Sequence, residues 1–154
     1  MFKILLVCTG NTCRSPMAAA LLAAMVEKAG LADKICVESA GLAAWGQPAS
    51  AAALTVMRQA GLSVDKHRSR QLVPAQLAAA DLILTMTAAH KRAVAGMTQG
   101  TAGKIYTLAE FAGETGDVQD PFGGSVAEYR ACAGQLERLL KQSWQNIVSS
   151  AGKK

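Results

Sequence analysis

The chain has 154 residues, 51% of them hydrophobic and 18% charged, enough apolar material for one substantial core, which excludes a disordered polypeptide and sets the expectation of a single domain over 1–154. Sixteen Lys plus Arg against eleven Asp plus Glu leave a net charge of +5, a balance that suits an acidic or phosphorylated substrate. The basic residues are dispersed apart from DKHRSR at 65–70 and Lys153-Lys154, and no nucleic-acid motif is present, so nucleic acid is not an expected partner.

In chain order, FKILLV at 2–7 is short, continuous and apolar, the pattern of a central strand rather than a signal peptide. Ser15-Pro16 then reads as an N-cap followed by a first-turn proline, opening a helix to about Gly30. ICVES at 35–39 predicts a second strand closed by Ala40-Gly41, and the alanine-rich 48–60 a helix stopped by Gly61. DLILTM at 81–86 is a third strand, 87–96 a short helix, and KIYTL at 104–108 a fourth strand. A glycine-rich acidic loop at 113–124 precedes a long final helix over 125–148, with Ser125 and Glu128 as a capping box.

Strands alternating with helices predict an α/β fold, a three-layer α/β/α arrangement around a four-stranded parallel sheet. Ligands of such sheets bind at the carboxyl ends of the strands, so Cys8 and the 113–124 loop should meet there. No stretch reaches the roughly 20 apolar residues of a membrane helix. The four cysteines include no Cys-x-x-Cys pair, so neither a metal nor a secreted disulfide framework is expected. A cytoplasmic monomer without cofactor is the expectation.

The segment CTGNTCRSP at 8–16 carries the chemistry. Leaving a strand and entering a helix, the amides of Thr9, Gly10, Asn11, Thr12, Cys13, Arg14 and Ser15 can curl around one anion, helped by the helix N-terminus. Gly10 and Asn11 tolerate the left-handed backbone that a tight cradle needs. Arg14 offers a planar fork for two phosphate oxygens. Cys8, at the floor among these donors, is poised to react as a thiolate. The Gly-Lys-Ser/Thr of nucleotide P-loops is missing, so one phosphoryl group above a sulfur is the better fit. Attack on phosphorus also needs an acid for the leaving group, and Asp120, stiffened by Pro121, is the candidate, with Asp117 and Glu114 as rivals. Cys8 and Cys13 end one tight loop, a spacing that permits a reversible disulfide after oxidation. His67 and His90 read as structural or exposed rather than catalytic.

VCTGNTCRSP with a distant Asp-Pro resembles the low-molecular-weight protein tyrosine phosphatase family, and ESAG at 38–41, ADLILTM and the helix after DPFGG extend the likeness over nearly the whole chain. The resemblance implies a metal-free hydrolase acting on phosphorylated protein side chains through a phosphocysteine. It implies Cys8 as nucleophile, Arg14 as phosphate clamp, Asp120 as general acid, and Asn11, Ser15 and Ser39 as loop support. Two positions depart from the common tyrosine-phosphatase pattern: Thr12 stands where an isoleucine or leucine is usual, and FGG at 122–124 where paired tyrosines often follow Asp-Pro. Both resemble the protein-arginine phosphatase branch of the family, and a threonine hydroxyl can hydrogen-bond a guanidinium. Phosphoarginine is therefore the expected substrate, phosphotyrosine the alternative, with Trp45 and Phe122 as pocket walls. Arsenate reductase, which shares the Cys-x5-Arg loop, needs two further cysteines near 80–90, and this chain has none there.

Overall fold

The computed structural model describes residues 1–154. Four parallel strands, β1 (Phe2–Cys8), β2 (Ile35–Gly41), β3 (Leu82–Thr85) and β4 (Ile105–Thr107), lie side by side in the order β2-β1-β3-β4. The helices are α1 (Arg14–Lys28), α2 (Ala51–Gln59), α3 (Pro74–Ala79), α4 (Ala88–Met97), α5 (Leu108–Phe111) and α6 (Val126–Gly152). The fold is thus the α/β class with a four-stranded parallel sheet that the alternating pattern predicts.

The continuous apolar run of β1 follows from its central place, buried on both faces. Phe2, Ile4, Leu6 and Cys8 alternate onto one side, in a core shared with Met17 and Leu22 of α1, Met57 of α2 and Leu136 and Leu140 of α6. Leu5 and Val7 point to the other side, against Leu77 of α3, Val94 of α4, Ile83 and Ile105. Burying each such side chain contributes about 1.5–3 kcal/mol. This packing fixes the register of β1 and so places Cys8, its last residue, at the carboxyl edge of the sheet opposite Gly41.

Several boundaries differ from the sequence expectation. β2 runs on through Ala40-Gly41 instead of closing there. Gly41 is glycine because a Cβ would lie 2.8 Å from the Thr9 carbonyl oxygen and 2.9 Å from Asn11 Cβ. Helix α1 begins at Arg14 with Cys13 in the cap position, not at Ser15-Pro16, because the Ser15 hydroxyl bonds the Cys8 sulfur instead of a first-turn amide. Two short helices were not anticipated: α3, which Pro74 opens and Gln76 steadies by accepting from the Val73 amide, and α5, capped by Thr107 and Glu110. The fourth strand accordingly ends at Thr107.

Candidate active site

Between β1 and α1 the chain folds into a cup whose carbonyls turn outward. Leu42 N donates to the Cys8 carbonyl (3.1 Å), Ala43 N to that of Thr9 (2.9 Å) and Ser50 N to that of Thr12 (3.0 Å). The amides from Thr9 to Ser15 have no protein acceptor, which is costly unless water or an anion takes them. Only Asn11 adopts the left-handed backbone, at φ 56°; Gly10, expected to share it, does not. Asn11 is fully buried and its side chain is fully used. Its Nδ2 donates to Ser15 Oγ (2.8 Å) and Ser39 Oγ (3.0 Å), and its Oδ1 accepts from the Arg70 amide (2.9 Å). Four bonds of this kind, with His67 Nε2 at 2.6 Å from the Asn11 carbonyl, are what hold a strained residue in place.

Arg14 is 4% exposed. Its Nη1 donates to the Val118 carbonyl at 3.0 Å, Nη2 lies 3.6 Å from Asp120 Oδ2, and Nε has no partner. A buried guanidinium anchored at one nitrogen presents its planar Nε–Nη2 edge to two oxygens of one anion. Val118 is itself tied down, its amide donating to the Met86 carbonyl beyond β3 (2.9 Å). The acidic loop is thereby drawn over the cup. Among its carboxylates, Glu114 pairs with Arg138 and Asp117 accepts from the Ala88 amide (2.9 Å). Asp120 instead faces the cleft, half exposed, with Oδ1 accepting from the Phe122 amide at 3.0 Å.

These groups line one cleft of about 420 Å³, with Cys8 and Arg14 deep and Thr12, Trp45, Gln47, Asp120 and Phe122 toward the rim. Trp45 is 74% and Phe122 75% exposed, large aromatic faces left open at the mouth. The structure so brings together the cradle residues, Asp120, Ser39 and both pocket walls. It also supplies partners that sequence reasoning did not assign. His67 and Arg70 steady Asn11, and His90 Nε2 lies 2.8 Å from Thr9 Oγ1. Tyr129 OH lies 3.1 Å from Cys13 Sγ, and burial followed by that contact pushes its phenol up to about 12. Burial pushes the Cys132 thiol, beneath the acidic loop, up to about 11, which leaves it inert. No local pattern announces these partners, since each lies dozens of residues from the group it holds.

The family model for low molecular weight phosphotyrosine protein phosphatase matches residues 3–152. The chain belongs to this family. Within it, this phosphatase is 43% identical over 141 residues to a protein-arginine-phosphatase of Geobacillus stearothermophilus, covering 90% of this chain and 91% of that one. It is 36% identical over 150 residues to a probable low molecular weight protein-tyrosine-phosphatase, EpsP, of Ralstonia solanacearum, covering 97% of each. The solved YwlE arginine phosphatase of G. stearothermophilus superposes with a TM-score of 0.88 at 39% identity, over 99% of this chain and 97% of that one.

Proposed function

We propose that this phosphatase hydrolyses phosphoarginine in proteins through a phosphocysteine on Cys8. The observation that carries the substrate reading is Thr12. Its hydroxyl sits on the cleft wall with Cys13 Sγ, at 3.6 Å, as its one hydrogen-bonding partner, so it is available to a guanidinium N–H of the substrate. The relationship to protein-arginine-phosphatases of G. stearothermophilus and Bacillus subtilis, at 43% and 40% identity, supports it.

The Cys8 thiolate attacks phosphorus in line, a P–S bond forms, and the P–N bond to the substrate breaks. Asp120 gives its proton to the departing nitrogen, so arginine leaves with its charge balanced. The Asp120 carboxylate then takes a proton from water, the resulting hydroxide attacks phosphorus, and the P–S pair returns to Cys8. Arg14 and the cup amides hold the equatorial oxygens through both steps. A solved YwlE arginine phosphatase structure, that of a Cys-to-Ser mutant with a phosphorylated active site serine, supports a phosphoryl group carried at the nucleophile position. No helix is long and apolar enough to cross a membrane; we read the enzyme as a cytoplasmic monomer acting on phosphorylated proteins, with no metal or cofactor.

Turnover of matched phosphoarginine and phosphotyrosine peptides tests the reading, with kcat/KM expected at least about 10-fold higher for phosphoarginine, the worth of one satisfied polar contact. Equal turnover, or a preference for phosphotyrosine, overturns it. The latter outcome would favour the second reading, a tyrosine phosphatase whose ring slot is walled by Trp45 and Phe122.

A further inference from the structure

The acidic loop and the cup come from distant segments, Arg14 and Val118 being 104 residues apart. Between α5 and α6 the loop has no regular structure of its own. A general acid misplaced by about 1 Å loses up to 100-fold in rate, so something must set the loop against the cup. Two contacts converge on the first turn of α4. On one side Asp117 Oδ1 accepts from the Ala88 amide at 2.9 Å. On the other, His90, whose amide donates to the Thr87 hydroxyl at 3.0 Å, places its Nε2 2.8 Å from Thr9 Oγ1, on the residue that follows Cys8.

His90 is 6% exposed and its Nδ1 has no partner, so the Thr9 contact is its ring's one hydrogen bond. Burial, then the Arg14 guanidinium, push it down to about 4, against the opposing pull of Asp117 and Asp120. The ring is therefore neutral near pH 7 and adds no charge to the cup. Its contribution is geometric.

We propose that Asp117 and His90 are positioning residues which, through the first turn of α4, hold Asp120 in register with the phosphate cup. This assignment rests on Asp120 being the acid. A substitution at either residue should then hurt most where acid assistance matters most, on substrates with poor leaving groups.

The test is kcat/KM on aryl phosphates from p-nitrophenyl to phenyl phosphate, with inhibition by inorganic phosphate measured alongside. Asp117→Ala should lose about 10–100-fold on phenyl phosphate and less than about 3-fold on p-nitrophenyl phosphate, with phosphate inhibition unchanged. Asp117→Asn, which can accept the same amide but cannot act as an acid, should recover most of the loss. His90→Ala should show the same leaving-group bias together with weaker phosphate inhibition, and the double variant should cost less than the product of the single ones. A uniform loss across leaving groups, an Asn variant as damaged as Ala, or independent effects in the double variant overturns the proposal. If His90→Ala does not fold, the exposed Asp117 pair decides the matter. Asp120→Ala is run beside them: if it lacks the leaving-group bias, the acid itself is misassigned, whereas a bias there without one in Asp117→Ala sinks only the positioning role.

Discussion

The Cys8 sulfur lies 2.9 Å from the Ser15 hydroxyl, and that hydroxyl already accepts from Asn11 Nδ2 at 2.8 Å. A thiolate carries no proton to give, so in the reactive form the Ser15 O–H donates to sulfur. A hydrogen bond to sulfur stabilises the thiolate, which is the attacking group in the first step and the leaving group in the second. Hydrogen bonds to charged groups contribute about 1.5–3 kcal/mol, or roughly 10–150-fold. Ser15→Ala should lower kcat by that order by slowing phosphocysteine hydrolysis. For p-nitrophenyl phosphate, whose leaving group makes the first step easy, kcat/KM should fall less. Equal falls in both would show that Ser15 only supports the loop.

Cys8→Ser should abolish turnover yet retain phosphate binding, because the anion is held by amides and the Arg14 edge rather than by sulfur. Calorimetric titration with phosphate and an assay on p-nitrophenyl phosphate check the two halves. Appreciable turnover in this variant would remove Cys8 from the nucleophile role.

His90 makes the stability of the fold sensitive to mild acid. Its folded-state value is depressed from 6.5 to about 4, so between those limits the unfolded chain binds a proton that the native protein refuses. Stability must therefore fall as pH drops through that window. The depressed carboxyls Asp65, Asp81 and Glu110, held below their ordinary 3.8, 3.8 and 4.5, lower stability in the same direction and come in toward the acid end of that window and below it. The Tm should decline from pH 7 to pH 4.5, and His90→Gln, which does not titrate, should flatten the decline. An unaltered slope would mean that the ring takes up its proton as readily in the folded chain as in the unfolded one.

Cys13 is buried, with its sulfur 3.1 Å from Tyr129 OH and 3.6 Å from Ser50 Oγ. Peroxide should first convert the Cys8 thiolate to a sulfenic acid. Attack by Cys13 sulfur would then form a disulfide and release water, at the cost of the Tyr129 contact. Inactivation by peroxide should accordingly be reversed by dithiothreitol in the native enzyme and largely fail to reverse in Cys13→Ser. Full recovery of that variant would rule out the protective bond.

Strand β1, the cup and the body of α1 are legible because their signals are local: an apolar run, a turn-prone segment, then an alanine-rich helix. The same holds for the Ser125–Glu128 box, which opens α6 as expected. Helix α1 starts one residue before the Ser-Pro signal because Ser15, a good cap by type, is drawn to sulfur instead. Thr107 and Glu110 carry an equally plain capping signal for α5, masked because the apolar pattern of KIYTL runs on through Leu108. The supports of Asn11 and Thr9 were not legible at all. Arg70, His67 and His90 lie 59, 56 and 81 residues from the groups they bond, and only tertiary packing reveals which histidines matter.

Thr12 provides the sharpest test of substrate choice. A phosphoarginine brings guanidinium N–H donors to the cleft wall, where burial strips them of water. The Thr12 hydroxyl, with only the 3.6 Å Cys13 contact to compete, can accept one. Leaving such a donor unpaired costs about 1.5–3 kcal/mol, so Thr12→Ile should lower kcat/KM for phosphoarginine peptides roughly 10–150-fold. The isoleucine would also add apolar surface beside Trp45 and Phe122, a better bed for a tyrosine ring, and kcat/KM for phosphotyrosine should rise. The two peptides assayed on both proteins give the ratio directly. A ratio left unmoved by the substitution would take Thr12 out of substrate selection while leaving the phosphatase chemistry of Cys8, Arg14 and Asp120 in place.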